Sequence, residues 1–319
     1  MSSIKIALVG IGKIAIDQHL PALAHNADFE LVALVSRSIA EQQEILERYP
    51  QARPFHDMDE LLASGIAVDA VSLCVPPTVR YSLAVQALEA GLDVLLEKPP
   101  GRGVAEVESL RKIAEKQQRT LFASWHSRHA EQVENARVWL ADKTPRAMTI
   151  EWREDVRFWH PEQEWVWEAG GMGVFDPAIN AFSIATLLLP EGFYFTEAQL
   201  DIPGNRQQPI AATLKGALSG THGGSVEVTL DWQKTGDPLW QIDITTDQGV
   251  MTLEEGGAHL VIDGKRADGS ASPGEYPGLY QHFAELVKRN VLDVDARPLT
   301  LVADALMMGN RREVAEFHW

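Results

Sequence analysis

The chain has 319 residues, 45% hydrophobic and 23% charged, the make-up of an ordinary globular protein with length for about two domains. Its single cysteine, Cys74, excludes a disulfide framework and any multi-cysteine zinc or iron–sulfur centre. The formal net charge of −17, split as −4 over residues 1–125 and −13 over 126–319, disfavours nucleic acid and anionic membranes and leaves the first part better suited to a phosphate-bearing ligand.

No run approaches the roughly 18 apolar residues of a spanning helix. The opening MSSIKIALVG lacks the basic start, apolar stretch and cleavage site of a secretory signal, so a cytoplasmic protein is expected.

Over the first 125 residues, Val-, Ile- and Leu-rich runs at 4–10, 29–35, 69–75, 93–99 and 120–125 predict strands buried on both faces. Segments of helical period fall between them, at 13–26, 38–49, 57–64, 78–91 and 103–118. This alternation predicts a doubly wound parallel sheet of the Rossmann type. Beyond residue 125 the texture changes. A helix is expected at 127–142, a long strand at 146–155, a Trp-rich connection, a glycine-rich turn at Gly170–Gly173 and a helix to about 188. Strands follow at 193–202, 209–218, 224–232, 239–246, 249–255 and 259–263, many alternating apolar with polar as in an antiparallel sheet with one wet face. Helices at 277–290 and 298–315 close the chain. The fold class is α/β: a Rossmann domain over 1–125, then an α+β domain over 126–319 built on a large, open, mostly antiparallel sheet. The last helix is free to pack back on the first domain.

Directly after the first strand comes Gly10-Ile11-Gly12-Lys13-Ile14-Ala15, a G-x-G-x-x-A turn that opens a helix. Gly10 permits the tight turn, Gly12 lets backbone approach a pyrophosphate, and the small Ala15 lets helix and strand pack closely. The helix N-terminus offers N–H groups to phosphate. The bland alternative is a glycine turn that binds something else; the strand before and the helix after favour a dinucleotide. NAD sites usually end the second strand with an acid, whereas here it runs into Ser36-Arg37-Ser38. A guanidinium and hydroxyls suit a 2′-phosphate, which favours NADP over NAD. Otherwise Arg37 stacks on adenine or points to solvent.

Two further strands end in Cys74-Val75-Pro76-Pro77 and Glu97-Lys98-Pro99-Pro100, proline-stiffened lips, the second of which suits a cis Xaa–Pro bond. Ligands in open α/β sheets lie beyond the carboxyl ends of strands, so Lys98 stands where a nicotinamide belongs. For an isolated lysine the default would be a surface residue ending a strand.

G-x-G-x-x-A, VPP, EKP and a later G-G-x-x-x-x-D segment, in this order and spacing, resemble the glucose–fructose oxidoreductase/inositol dehydrogenase (Gfo/Idh/MocA) family along the whole chain. Within it, IGKIAIDQHLPAL, DAVSLCVPP, LLEKPPG, LFASWHSR and GVFDPAINA are similar to bacterial aldose 1-dehydrogenases acting on L-arabinose and D-galactose. The candidate cofactor contacts are Gly10, Gly12, Lys13, Ile14, Ser36, Arg37, Cys74, Pro76, Glu97 and Lys98, and the resemblance implies a homodimer formed through the second domain. Composition supports the dimer only loosely, since Leu239, Trp240 and Ile242 fit either sheet face. It assigns Lys98 to substrate and alkoxide stabilisation and Asp176 to proton transfer, with Asn180 beside it. Many relatives carry His where Asn180 stands; Asn cannot be a general base, so Asn180 is read as a hydrogen-bonding partner one helical turn on. By itself Asp176-Pro177 reads as a helix cap.

Six of the nine tryptophans lie between Trp125 and Trp167, amid His126, Arg128, Glu154, Arg157 and His160. Indole faces pack on the C–H side of sugars while carboxylates and imidazoles bind hydroxyls. His126, Glu154, His160 and Trp232 are the candidate sugar contacts, against a bland reading in which many of the tryptophans are core or interface. His126 and His129 lack a third ligand, so no metal is expected.

The reaction expected is oxidation of an aldopyranose at C1 to its lactone, with Asp176 taking the hydroxyl proton and Lys98 bonding the developing alkoxide. Lys98 as the base is the competing assignment. The alternatives are a ring-alcohol (inositol-type) dehydrogenase, a redox-neutral lyase or glycosidase that uses bound NAD transiently, and a non-catalytic NADP-binding sensor.

Overall fold

The computed structural model describes residues 3–220, 223–269 and 272–319. By its internal contacts the chain divides into two units, residues 1–125 with 276–296, and residues 126–275 with 297–319.

The first unit holds six strands: β1 (Ile4–Val9), β2 (Phe29–Val35), β3 (Arg53–Phe55), β4 (Ala70–Leu73), β5 (Asp93–Leu96) and β6 (Leu121–Ala123). They pair in parallel in the order β3-β2-β1-β4-β5-β6, the doubly wound order that reverses between β1 and β4. Ile4, Ile6 and Leu8 of β1 face one side with Leu20, Leu23 and Ile45, while Ala7 and Val9 face the other with Leu61, Ala84, Leu88 and Leu110. Both faces are therefore buried, which is why these strands read as continuous apolar runs. β3 escapes that signal, being three residues long, at the sheet edge, with Pro54 at its centre.

The helix Glu275–Arg289 gives Tyr276, Leu279, Tyr280 and Phe283 to the β1–β2 side of this core. The chain segment grouped with the first unit is thus 276–296, and the last helix, Arg297–Met308, is grouped with the second unit.

The second unit is a nine-stranded sheet: β7 (Pro145–Arg153), β8 (Phe193–Pro203), β9 (Ala211–Leu218), β10 (Ser225–Asp231), β11 (Leu239–Thr246), β12 (Gly249–Glu254), β13 (His259–Ile262), β14 (Lys265–Arg266) and β15 (Asn310–Val314). Their order is β14-β13-β12-β11-β7-β10-β9-β8-β15, antiparallel except for the β7–β10 and β8–β15 pairs. Helices Val133–Leu140, Phe175–Leu188 and Arg297–Met308 pack on one face. Helix Phe175–Leu188 is buried almost all round, its apolar residues spread over every face and only Asn180 and Leu187 half-buried. The helix expected at 127–142 is a short 3-10 turn, His126–His129, followed by Val133–Leu140. The helix expected to reach 315 stops at Met308, and 310–314 form the charged edge strand β15. Of the three residues that fitted either sheet face, Trp240 and Ile242 pair with Trp152 and Ile150 on the helix-covered side. They add nothing to the outer face, which is lined by Thr149, Lys215, Glu227 and Asp243. Among the described residues no helix is long and apolar enough to cross a membrane.

Candidate active site

In the first unit the glycine turn leaves β1 at Gly10, whose φ is +91°. A Cβ there would lie 2.8 Å from Val75 Cγ1 and 2.9 Å from the Val75 backbone nitrogen, so both conformation and the approach of the Cys74–Pro77 lip require glycine. A Cβ at Gly12 would meet no protein atom within 4 Å. Helical backbone starts at Lys13, Ala15 is fully buried against the sheet, and Lys13 pairs with Asp17 on the surface while Ile14 is exposed. An open glycine followed by free helical N–H groups is the cradle a pyrophosphate needs, and these residues fit a dinucleotide.

The other expected cofactor residues gather at the same carboxyl edge. Ser36 follows β2, its amide bonded to Phe55 O at 3.0 Å and its hydroxyl 3.3 Å from that of Ser38. Arg37 is exposed and makes no ion pair among the described residues. Cys74 and the exposed Pro76 follow β4; Lys98, half-buried, follows β5, with the Lys98–Pro99 bond cis. The Glu97 carboxyl is turned inward: Oε1 accepts from Tyr276 OH at 2.8 Å and faces His19 Nε2 at 3.2 Å. Arg80 is a feature the sequence reading missed. Its buried guanidinium donates to the carbonyls of Glu97, Pro99 and Val75, tying the two lips together.

The second unit assembles a separate polar cluster at one end of its sheet. Along β7 the side chains of Met148, Ile150 and Trp152 face the helix-covered side, and the period of two carries Glu154 to the same face. β10 pairs in parallel, Leu230 beside Trp152, which brings Trp232 beside Glu154; β11 sets Trp240 beside Trp152. Both indoles donate to the Glu154 carboxyl, Trp232 Nε1 to Oε1 at 3.2 Å and Trp240 Nε1 to Oε2 at 2.9 Å. Burial pushes this carboxyl up to about 7, against the two indole donors and His160, with the nearby Asp176 acting in the same direction as burial.

His160 ends the short helix Val156–Trp159, and its Nε2 lies 3.1 Å from Asp176 Oδ2. Its other nitrogen, Nδ1, is 3.3 Å from Gln163 Oε1, an oxygen that also accepts from Trp165 Nε1 at 3.0 Å. Nδ1 must therefore donate, and the proton shared between Nε2 and Asp176 belongs to the pair. The imidazole packs edge-on against Trp232 and Trp165, with ring centroids 5.5 and 6.0 Å apart. Asp176 is the second residue of helix Phe175–Leu188 and is 3% exposed. No side chain caps this helix, so the cap reading of Asp176-Pro177 gives way to a carboxylate aimed at His160. Gly173, at φ +54° with Pro209 O only 2.3 Å from a built Cβ, makes the turn from which the helix starts, and its carbonyl takes the Asp176 N–H. Asn180, half-buried, follows one turn later.

The structure thus brings Glu154, His160, Asp176 and Trp232 together. His126 is engaged elsewhere, its Nδ1 3.1 Å from Glu275 Oε2. Of the Trp-rich segment, Trp159 and Trp152 stand beside Trp240, whereas Trp125 and Trp167 are core residues. Trp240 and Gln163 were not anticipated. No group of three or more metal-ligating side chains occurs among the described residues.

Residues 4–124 match the family described as an oxidoreductase family with an NAD-binding Rossmann fold, GFO_IDH_MocA. Over its full length the chain is 41% identical to the galactose 1-dehydrogenase of Pseudomonas fluorescens, with 100% of each covered. The chain belongs to the Gfo/Idh/MocA family. A crystal structure described as D-galactose-1-dehydrogenase from Rhizobium etli superimposes with a TM-score of 0.92 at 46% identity, covering 100% of this chain and 99% of that one. Another member of the fold, a 3-ketoreductase from Actinomadura kijaniata solved with NADP, has a TM-score of 0.84 at 18% identity, covering 98% and 99%. As a Gfo/Idh/MocA protein, the chain is an oxidoreductase with an NAD(P)-binding Rossmann domain.

Proposed function

We propose that this enzyme oxidises an aldopyranose such as D-galactose, L-arabinose or D-fucose at C1 to the aldonolactone. The observation that carries the reading is the Glu154–His160–Asp176 cluster beneath a tryptophan wall, in a chain 41% identical from end to end to a galactose 1-dehydrogenase. Carboxylates suit sugar hydroxyls, and Trp240 and Trp159 suit the apolar face of a pyranose, while Trp232, fully buried, backs Glu154 and His160 rather than meeting the sugar as the sequence suggested.

The nicotinamide cofactor, when bound, supplies the hydride acceptor. Gly10, Gly12, Lys13 and Ile14 would hold its pyrophosphate, Ser36 and Arg37 its ribose 2′-position, and Cys74, Pro76 and Lys98 its nicotinamide end; the Glu97 carboxyl, turned inward to His19 and Tyr276, would not reach it. Asp176, held by His160, takes the proton of the C1 hydroxyl. The C1–H bond then breaks with its electron pair leaving as hydride while the C1–O bond becomes a carbonyl. Lys98 hydrogen-bonds the oxygen on C1 as negative charge develops there. Glu154 and Asn180 fix the remaining hydroxyls; His160, with one ring nitrogen on Asp176 and the other on Gln163, holds the base, and His126, bonded to Glu275, lies at the margin of this assignment. NADP is the preferred cofactor, because Arg37 is exposed and makes no ion pair among the described residues, while no acid ends β2. The enzyme works in the cytoplasm as a homodimer paired through the outer face of the nine-stranded sheet.

Absorbance of reduced nicotinamide tests the reading, with NADP or NAD and a panel of D-galactose, L-arabinose, D-fucose, D-glucose and inositol. Rapid reduction with the galacto-configured aldoses is expected. Reduction with inositol alone, or with no sugar while cofactor still binds, overturns it.

A further inference from the structure

Beneath the Glu97–Pro100 turn lies a set of buried polar groups that the reaction above does not use. His19, fully buried in the helix that follows the glycine turn, faces Tyr280 OH through Nδ1 at 2.7 Å and Glu97 Oε1 through Nε2 at 3.2 Å. The Tyr280 hydroxyl donates to Ser72 Oγ at 3.1 Å, so it accepts from Nδ1. Glu97 Oε1 also takes the Tyr276 hydroxyl proton at 2.8 Å. With an acceptor facing each ring nitrogen, the site favours the protonated form of His19, paired with the Glu97 carboxylate. Burial alone would depress its protonation, but Cys74, Tyr280 and Glu97 outweigh burial and raise its pKa well above the ordinary imidazole value.

The same turn is gripped at its backbone. Glu97 Oε2 accepts the Lys98 amide N–H, and Arg80 holds the carbonyls of Glu97 and Pro99 on either side. Glu97, Arg80, His19, Tyr276 and Tyr280 are each 3% exposed or less. An ion pair this deep is costly to desolvate and is weak evidence for stability in itself. Its value here is geometric, since a side chain that must meet a reacting oxygen works only when its backbone cannot drift.

We infer that the His19–Glu97 pair, with Tyr276 and Tyr280, is a positioning device for Lys98. It links the phosphate-side helix, β4 and helix Glu275–Arg289 to the one turn that carries the reacting lysine. The inference rests on the assignment of Lys98 to the C1 oxygen. His19, Glu97 and the two tyrosines are positioning residues and touch neither sugar nor hydride.

The test compares Glu97→Gln, His19→Gln and Tyr276→Phe with Lys98→Ala in the full-length enzyme. Cofactor affinity, sugar KM and kcat per cofactor-binding site are measured for each. Misplacing a reacting group by about 1 Å costs on the order of 100-fold. Glu97→Gln and His19→Gln are therefore expected to lose roughly 10- to 100-fold in kcat and Tyr276→Phe about 3- to 10-fold, with sugar KM and cofactor Kd changed less than about threefold. Combining His19→Gln with Tyr276→Phe is expected to cost no more than Glu97→Gln alone, because all three act through one carboxylate. A merely structural role would lower Tm and the fraction of cofactor-binding protein but leave kcat per site unchanged within twofold, and that result overturns the inference. If Glu97→Gln or His19→Gln does not fold, Tyr276→Phe, which removes one hydroxyl, decides it by the same criterion. Full activity in Lys98→Ala would instead sink the role of Lys98, and the positioning inference with it. An inactive Lys98→Ala beside fully active Tyr276→Phe and His19→Gln defeats the positioning alone.

Discussion

Nε2 of His160 lies 3.1 Å from Oδ2 of Asp176, and the other ring nitrogen is committed to donating to Gln163. The carboxylate that a helix cap would have turned toward its own backbone is instead held by an imidazole from a different segment. Such a pair can take up a sugar proton without stranding a buried negative charge.

Replacing Asp176 by Asn keeps the shape of the pair and removes its basicity. A general base is worth about 10²- to 10⁴-fold, so kcat is expected to fall by that range while cofactor Kd stays the same. Steady-state kinetics with a parallel cofactor titration checks this. An Asp176→Asn enzyme with near-normal kcat would return the base to Lys98.

Glu154 gives a pH signature. Its folded pKa, about 7, is raised from the 4.5 of an ordinary Glu, so the folded state favours the protonated form. That contribution to stability is complete below pH 4.5 and is lost as pH rises through 7, a cost of roughly 3 kcal/mol for ionising the buried group. Glu154→Gln is therefore expected to gain in Tm relative to the native protein between pH 5 and pH 8. Sugar KM should fall as pH rises through 7, as the carboxylate becomes an acceptor, and Glu154→Gln should flatten that dependence.

Much of this was legible in the sequence, for physical reasons that differ by element. β1, β2, β4 and β5 are buried on both faces and appear as apolar runs; β15, the charged edge NRREV, gives no alternation to read and was absorbed into the helix before it. Helix Glu275–Arg289 declares an apolar face but not the sheet it covers, which is a matter of tertiary contact. Glu154 could be found because it continues the period of β7. Arg80, His19 and Trp240 could not, since their partners Glu97, Tyr280 and Glu154 lie 17, 261 and 86 residues away.

Substitution of Arg37 tests the proposed preference for NADP. A charge-assisted bond to a phosphate is worth about 1.5–3 kcal/mol, so Arg37→Ala should raise the KM for NADP by roughly 10- to 100-fold and leave that for NAD unchanged. Equal kinetics with both cofactors in both proteins would mean that Arg37 only faces solvent.

The most direct test of the central claim is the fate of deuterium placed at C1 of D-galactose. Oxidation at C1 requires the label to appear in the reduced nicotinamide while an unlabelled galactonolactone forms in equal amount. Label retained in the sugar product, with an unlabelled reduced cofactor, would show that hydride leaves another carbon and would contradict the account.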